Sequence, residues 1–361
     1  MKSNYMKTTF CMAFLLIVTA VFAQTPYSNK TAVLKSEFIY QKNDVNFPSC
    51  HASTIVETGN GMLASWFGGT EERAPDVCIY VSAFNKGKWE KPVLAADGIQ
   101  DANKRYPCWN PVLFRKDNSE IVLYYKVGPD PRTWWGMYKT SADNGKTWSA
   151  AVKIPDNLLG PIKNKPVRLN NGKILYPTSF ETPEKWNIYM ETSDQDLKNW
   201  QKTDIENSGL NSIQPSVLFH KDGSLQLLCR SRNKTINTTW SKDNGKTWSA
   251  LTQTTLPNNN AGTDAVTLAD GRQLLVFSPI TKGRHKLGVA VSDDGINWNA
   301  ALLLEDDTNQ EAEYSYPAVI QAKDGRIHIA YTWNRELIKH VVLDATKIQT
   351  KPISEGVWPN Q

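Results

Sequence analysis

Ser141-Ala142-Asp143-Asn144-Gly145-Lys146-Thr147-Trp148 returns as Ser241-Lys242-Asp243-Asn244-Gly245-Lys246-Thr247-Trp248. A shortened copy is Ser292-Asp293-Asp294-Gly295-Ile296-Asn297-Trp298. Looser copies run from Ser82 through Gly87-Lys88-Trp89 and from Ser193 through Asp196 to Trp200. The five first residues lie 59, 52, 48 and 51 positions apart. Each copy has the chemistry of a folded turn. The Asp accepts hydrogen bonds from turn N–H groups, the Gly permits positive φ, and the Trp is free to pack between neighbouring sheets. The boxes therefore read as structural staples. They lack the oxygen count and distal Glu of a calcium loop, and no metal site is expected.

A second series runs out of phase with the first. Strand-like runs meet at Gly or Asn turns at Gly61, Asn118, Gly172, Gly223, Gly271 and Gly325, spaced 57, 54, 51, 48 and 54 residues apart. Asp-Gly and Asn-Gly between such runs are hairpin signals. Six units of about fifty residues, each with several short strands and no competing amphipathic helix, predict an all-β fold: a six-bladed β-propeller with four-stranded antiparallel blades.

The flanking sequence fits an exported protein. Lys2 and Lys7 precede an apolar run from Met12 to Ala23 that is too short to span a bilayer as a helix. Residues 1–23 read as a signal peptide cut near Ala23, leaving residues 24–361 as one propeller domain in a secreted or periplasmic monomer. Its removal takes away two of the five net positive charges. The remaining basic residues are scattered rather than striped, which is no footprint for nucleic acid. No further stretch approaches membrane length. Cys50, Cys78, Cys108 and Cys229 form no CxxC or Cys/His cluster. They read as small buried strand residues, with a Cys50–Cys108 bridge as the sharper alternative, since the two occupy matching places in the repeat. No cofactor is implied.

The innermost strands of a propeller line a central channel, and their starting ends form one rim. The six starts are Cys50-His51-Ala52, Trp109-Asn110-Pro111, Asn164-Lys165-Pro166, Ile213-Gln214-Pro215, Thr263-Asp264-Ala265 and Ser315-Tyr316-Pro317. This alignment puts His51, Asn110, Lys165, Gln214, Asp264 and Tyr316 at one position, a polar rim suited to a ligand. Loops after the second strands add Arg73, Asp76, Lys126, Trp134 and Arg230, and Arg105 lies just before the second rim position. Arginines suit planar anions, which they bind bidentately, and an exposed Trp suits a sugar ring. An acidic oligosaccharide or polysaccharide is the expected partner.

The boxes and the six units resemble the sialidase (neuraminidase) superfamily with Asp-box repeats, over nearly all of residues 24–361. The resemblance implies an exo-α-sialidase-type glycoside hydrolase, with Asp76 as acid/base, Tyr314 of Tyr314-Ser315 as nucleophile beside Glu313, and Arg230 as the second arginine of a carboxylate clamp. Arg284 is a weaker match to the third. Two departures stand out. Pro48-Ser49-Cys50-His51-Ala52 has no arginine where the family opens its first inner strand with one. Gln214 occupies the fourth strand's start, near where the activating Glu is expected, and Gln cannot take a proton from Tyr. Three readings stay open: such a hydrolase on an acidic sugar; an enzyme on a uronate- or rhamnose-containing glycan, including a lyase with His51 or Tyr316 as base and Lys165 and Arg230 on the carboxylate; and a non-catalytic glycan-binding propeller.

Overall fold

A computed structural model describes Met1 and residues 29–117 and 120–360. The expected signal peptide with its cut near Ala23, and the turn at Asn118, lie outside the described residues.

Among the described residues, six larger antiparallel sheets follow one another along the chain, with a two-stranded ribbon of Ile99–Asp101 and Lys104–Arg105 between the first and second. Blade 1 holds Ser49–Thr58, Gly61–Gly69 and Cys78–Asn85, with Lys88–Trp89 and Val93–Ala96 both pairing on its outer side. Blade 2 holds Cys108–Arg115, Ile121–Val127, Trp135–Ser141 and Val152–Lys153. Blade 3 holds Val167–Arg168, Ile174–Glu181, Trp186–Ser193 and Gln201–Asp204. Blade 4 holds Ser212–Phe219, Leu225–Ser231, Thr235–Ser241 and Thr252–Pro257. Blade 5 holds Asp264–Thr267, Gln273–Phe277, Lys286–Ser292 and Asn299–Asp306, with Lys351–Pro352 on its edge. Blade 6 takes Tyr314–Gln321, Arg326–Trp333 and Leu337–Asp344 from the end of the chain and Val33–Phe38 from its beginning. First strands touch between blades 1 and 2, 4 and 5, 5 and 6, and 6 and 1; blade 3 meets blade 4 through its second strand and shares an apolar cluster with blade 2, so the ring is closed.

Burial follows from this stacking. The second strands, such as Ile121–Val127, are buried along their whole length because a blade covers each face. That is why they read as continuous apolar runs rather than alternating ones. Outer strands such as Gln201–Asp204 face water. The core is correspondingly divided, with one apolar cluster at each interface. Every box tryptophan joins such a cluster: Trp89, Trp148, Trp200, Trp248 and Trp298. Trp200 stacks on Tyr176 with centroids 4.5 Å apart.

The box turn is built as the sequence suggests. Asp143 Oδ1 accepts from Ser141 Oγ and from the N–H groups of Lys146 and Thr147, while Oδ2 accepts from Thr147 Oγ1 at 2.6 Å. Gly145 has φ 87° and lies so close to Leu63 of the previous blade that a Cβ would come within 2.5 Å of Cδ2. Only glycine satisfies both demands. All four cysteines of residues 29–360 are buried and free, which corrects the Cys50–Cys108 alternative. Cys50 belongs to the blade 6–blade 1 cluster and Cys108 to the blade 1–blade 2 cluster.

Candidate active site

Four inner strands start with the same irregularity. The ladder slips between His51 and Thr54, between Ile213 and Ser216, between Ser315 and Ala318, and opposite Tyr124/Lys126 in blade 2. The last residue paired before each slip is His51, Trp109, Ile213 or Ser315. The next residue in each case has positive φ: Ala52 58°, Asn110 37°, Gln214 55° and Tyr316 53°. Left-handed backbone on non-glycine residues costs about 1–3 kcal/mol each, and such strain gathers where function holds it in place. The bulge turns the backbone at the channel mouth and re-aims the side chain there.

This register corrects the sequence alignment. Ala52, not His51, matches Asn110, Gln214 and Tyr316. Counting back from the hairpin turns, blade 3 contributes Lys163 and blade 5 Gly262 at that position. A Cβ on Gly262 would come within 3.4 Å of Lys163, Tyr316 and Gln214 side-chain atoms, so these groups converge.

Tyr316 and Arg230 are the centre of the site. Arg230 Nη1 donates to Tyr316 Oη at 2.7 Å and to Gln214 Oε1 at 3.2 Å, and Gln214 Nε2 donates to the same Oη at 3.2 Å. Arg230 Nε donates to Asn260 Oδ1, and its guanidinium carbon stands 5.2 Å from the Trp186 ring centroid. The buried His51 ring packs against Tyr316 with centroids 4.1 Å apart, and its Nδ1 contacts Thr332 Oγ1 at 3.1 Å. Burial first, then the charges of Arg335, Arg284, Arg230 and Lys163, hold the imidazole well below its usual pKa. The charges of arginines from blades 4 and 6 and from the blade 5 loop thus all act on one histidine. Lys163 lies 5.8 Å from the Tyr316 ring centroid, and its ammonium donates to Asn164 Oδ1 and to the carbonyls of Thr263 and Pro317. Burial brings its pKa down to about 7.

The other sequence candidates are spread more widely. Lys165 and Asp264 pair at 2.9 Å in the channel, where Asp264 also accepts from Ser216 Oγ and from the N–H groups of Ala265 and Val319. These bonds tie blades 3, 4, 5 and 6 together, so Asp264 is a structural hub with its acceptor sites taken. Lys126 is fully buried and donates to Pro161 O at 2.8 Å. Trp134 is also buried, edge-on to Trp109. Neither presents the exposed group expected of it. Tyr314 packs in the core between blades 5 and 6 rather than beside Arg230. Glu313 Oε1 accepts from Arg284 at 2.8 Å, Arg335 at 2.9 Å and Ser315 at 2.9 Å, a cluster that fixes both arginines. Asp76 is exposed, with Oδ2 accepting from the N–H and hydroxyl of Thr70. Arg105 donates to Asp76 O and to Cys78 Sγ, bracing that loop.

Arg73, expected from the sequence, lines a cleft of about 380 Å³. Glu181, Trp186 and Arg232, which line it too, were not singled out in the sequence. Arg232 stacks on the Trp186 ring at 4.1 Å from its centroid, and Arg335 pairs with Glu72 as well as Glu313. Burial pushes the Glu181 carboxyl above its ordinary range, against the pull of Arg230 and Arg232. A signal for Glu181 does exist: it ends the second strand of its unit, at the place that Arg232 takes in the next. Among the described residues, no group of three His, Cys, Asp or Glu is placed to hold a metal, and no helix is long and apolar enough to cross a membrane.

Closed ring, box turns and rim chemistry define a propeller of the sialidase fold. The BNR repeat-like domain matches residues 60–329, and the chain belongs to that family. A curated sialidase from Bacteroides fragilis (strain YCH46) is 25% identical over 270 residues, which cover 65% of this chain and 48% of that protein. The chain therefore spans about half the length of that relative. Among solved structures, a protein of unknown function from Dyadobacter fermentans DSM 18053 superposes with a TM-score of 0.70 at 16% identity, covering 88% of this chain and 99% of that one. The intramolecular trans-sialidase from Ruminococcus gnavus, in complex with oseltamivir carboxylate, gives 0.68 at 14% identity over 89% and 99%. These likenesses are of fold.

Proposed function

We propose that the protein is a sialidase-type glycoside hydrolase that removes a terminal sugar bearing a carboxylate. The observation that carries this reading is the Arg230 guanidinium held against Tyr316 Oη, on the blade whose Glu313 fixes Arg284 and Arg335 together. A low-lying cationic site of this kind favours a planar anion. The likeness to sialidases supports a sialic acid as the first candidate sugar, with a hexuronic acid second.

Arg230 anchors the carboxylate. Tyr316, whose oxygen accepts from two donors, faces the developing positive charge at the anomeric carbon. Glu181 is the proposed general acid, because a carboxyl raised by burial keeps its proton toward neutral pH. The glycosidic C–O bond breaks as the Glu181 proton passes to the leaving oxygen. Water adds OH at the anomeric carbon, and Glu181 regains a proton from solvent. Asp76 is the rival acid. Tyr314 and Glu313 would act only through the packing and the arginine cluster described above. Elimination with His51 as base is disfavoured, since its lowered pKa makes it a weak proton acceptor.

The test is incubation with sialyl- and hexuronyl-terminated oligosaccharides, with products identified by mass. Release of the free acid sugar with gain of one water is the expected result. Arg230→Ala should lower kcat/KM about 10- to 100-fold, the loss of one charged hydrogen bond. A folded protein that releases nothing from either set overturns the reading, and an unsaturated product turns it to elimination.

A further inference from the structure

A second cleft of about 340 Å³ opens between blades 2 and 3, beside the cleft of Arg73, Glu181 and Arg232, whose Trp186 wall carries Arg230 over its ring. That is within the roughly 300–1,000 Å³ of small-molecule sites. The two clefts share Pro131, Arg132, Glu181 and Thr182, so Glu181 stands on their common border. The outer cleft differs in character. Its walls carry the half-buried rings of Trp135 and Phe180 and the edge of Tyr189. Trp135 is braced edge-on by Tyr106 at 5.6 Å between centroids, and Tyr189 carries Lys202 over its face at 4.3 Å. Its cations are largely answered: Lys153 pairs with Asp156 at 2.6 Å and Arg132 with Asp130 at 2.7 Å. Ring faces rather than net charge therefore set what binds.

We infer that this outer cleft is the leaving-group subsite, which takes one or two neutral sugars on the Trp135 and Phe180 rings while the acidic sugar occupies the arginine-lined centre. This inference rests on the hydrolase reading and deepens it. The two clefts meet where a general acid has to stand, at the oxygen joining terminal sugar to leaving group. Glu181 occupies that border. Apolar faces of pyranose rings lie well on indole and phenyl surfaces, and the hydroxyls of such a sugar find Arg132, Lys202 and Thr182 at the edges. The protein should accordingly prefer an oligosaccharide to a terminal sugar on a minimal leaving group.

The experiment compares two substrates of one acidic sugar: its glycoside of lactose and its glycosyl fluoride. The proteins are wild type, Trp135→Ala, Phe180→Ala and Trp135→Phe. On the lactose glycoside the alanine variants should lose about tenfold in kcat/KM, with Trp135→Phe recovering most of it. On the fluoride, which has no sugar for the outer cleft, all should stay within twofold of wild type. Equal losses on both substrates, or no loss on the lactose glycoside, overturn the subsite. Should wild type cleave neither, the hydrolase reading fails separately. The cleft is then read by titrating tryptophan fluorescence with lactose and a panel of neutral di- and trisaccharides. A saturable change that Trp135→Ala abolishes supports a saccharide site there, and no saturable change with any member overturns it.

Discussion

Two carboxylates, one buried and one half-buried, show how surroundings decide what a residue can do. Asp264 meets Lys165, a hydroxyl and two backbone N–H groups, which occupy both of its oxygens. Such a group holds the channel together and has nothing left for a substrate. Glu181 has arginines nearby but lies in a partly desolvated cleft, where burial prevails and its pKa rises. A protonated carboxyl is the active form of a general acid, so activity should fall as pH climbs through that raised pKa. Glu181→Gln should remove this alkaline limb and lower kcat on natural glycosides by about 10²- to 10⁴-fold. On a glycosyl fluoride, which needs no proton to depart, the loss should nearly vanish. The pH–rate profiles of Glu181→Gln and Asp76→Asn, measured on both substrates, decide between the two acids: whichever variant shows this pattern has lost the proton donor.

At the scale of the element, the box turn was fully legible and the bulged strand start was not. The box is self-contained: Ser, Asp, Gly and Thr satisfy one another within eight residues, so the chain need not be folded in the mind to see what they do. The bulge is different. It inserts a left-handed residue whose identity is Ala, Asn, Gln or Tyr, and none of these advertises positive φ as glycine does. At Asn110, Gln214 and Tyr316 the alignment was correct; at Ala52 it slipped by one and put His51 in the wrong place, and a following Pro is no sure marker, since Pro166 follows Lys165. In blades 3 and 5 it slipped by two, choosing Lys165 over Lys163 and Asp264 over Gly262. The box also yields a pH prediction. The Thr147 and Thr247 side-chain hydrogen bonds, aided by their backbone N–H groups, hold Asp143 and Asp243 at about 2. A lowered pKa gives stability above the unfolded value of roughly 3.9 and loses it as pH falls through the folded value. Thermal melts between pH 5 and 2 should therefore show a falling Tm, less steeply in Asp243→Asn. Asp243→Ala should cost about 1 kcal/mol at neutral pH through its lost turn bonds.

For the whole molecule, repetition made the architecture readable, because six similar units with strand-turn-strand signals leave few alternatives to a closed ring. The site was less readable because it draws Glu181 and Trp186 from one blade, Arg230 from the next and Tyr316 and Arg335 from the last, and proximity across a ring leaves no trace in local sequence. Closure itself depends on Val33–Phe38 returning to pair with Leu337–Asp344. A small polar chain crosses that seam. His328 Nδ1 contacts His340 Nε2 at 3.0 Å, and His340 Nδ1 meets Trp89 Nε1 at 3.3 Å and Glu37 Oε1 at 3.4 Å. Burial, then the neighbouring His340, lowers His328 to about 4, with Asp324 and Arg326 acting weakly in opposite directions. Burial also lowers His340, against the pull of Glu37. Both imidazoles are therefore neutral in the folded ring at neutral pH. Unfolded histidine takes its proton near 6.5, so the folded state loses ground as pH falls from 6.5 toward 4. From a shift of that size His328 alone would cost about 2 kcal/mol at pH 5. In a domain this large that is a few degrees of Tm. Calorimetry at pH 7 and pH 5 should show the drop in wild type and a smaller one in His328→Asn, while Asp243→Asn, whose carboxylate titrates far lower, should behave as wild type over this interval. An undiminished drop in His328→Asn would place the acid sensitivity elsewhere than the seam where the chain's first strand closes the ring.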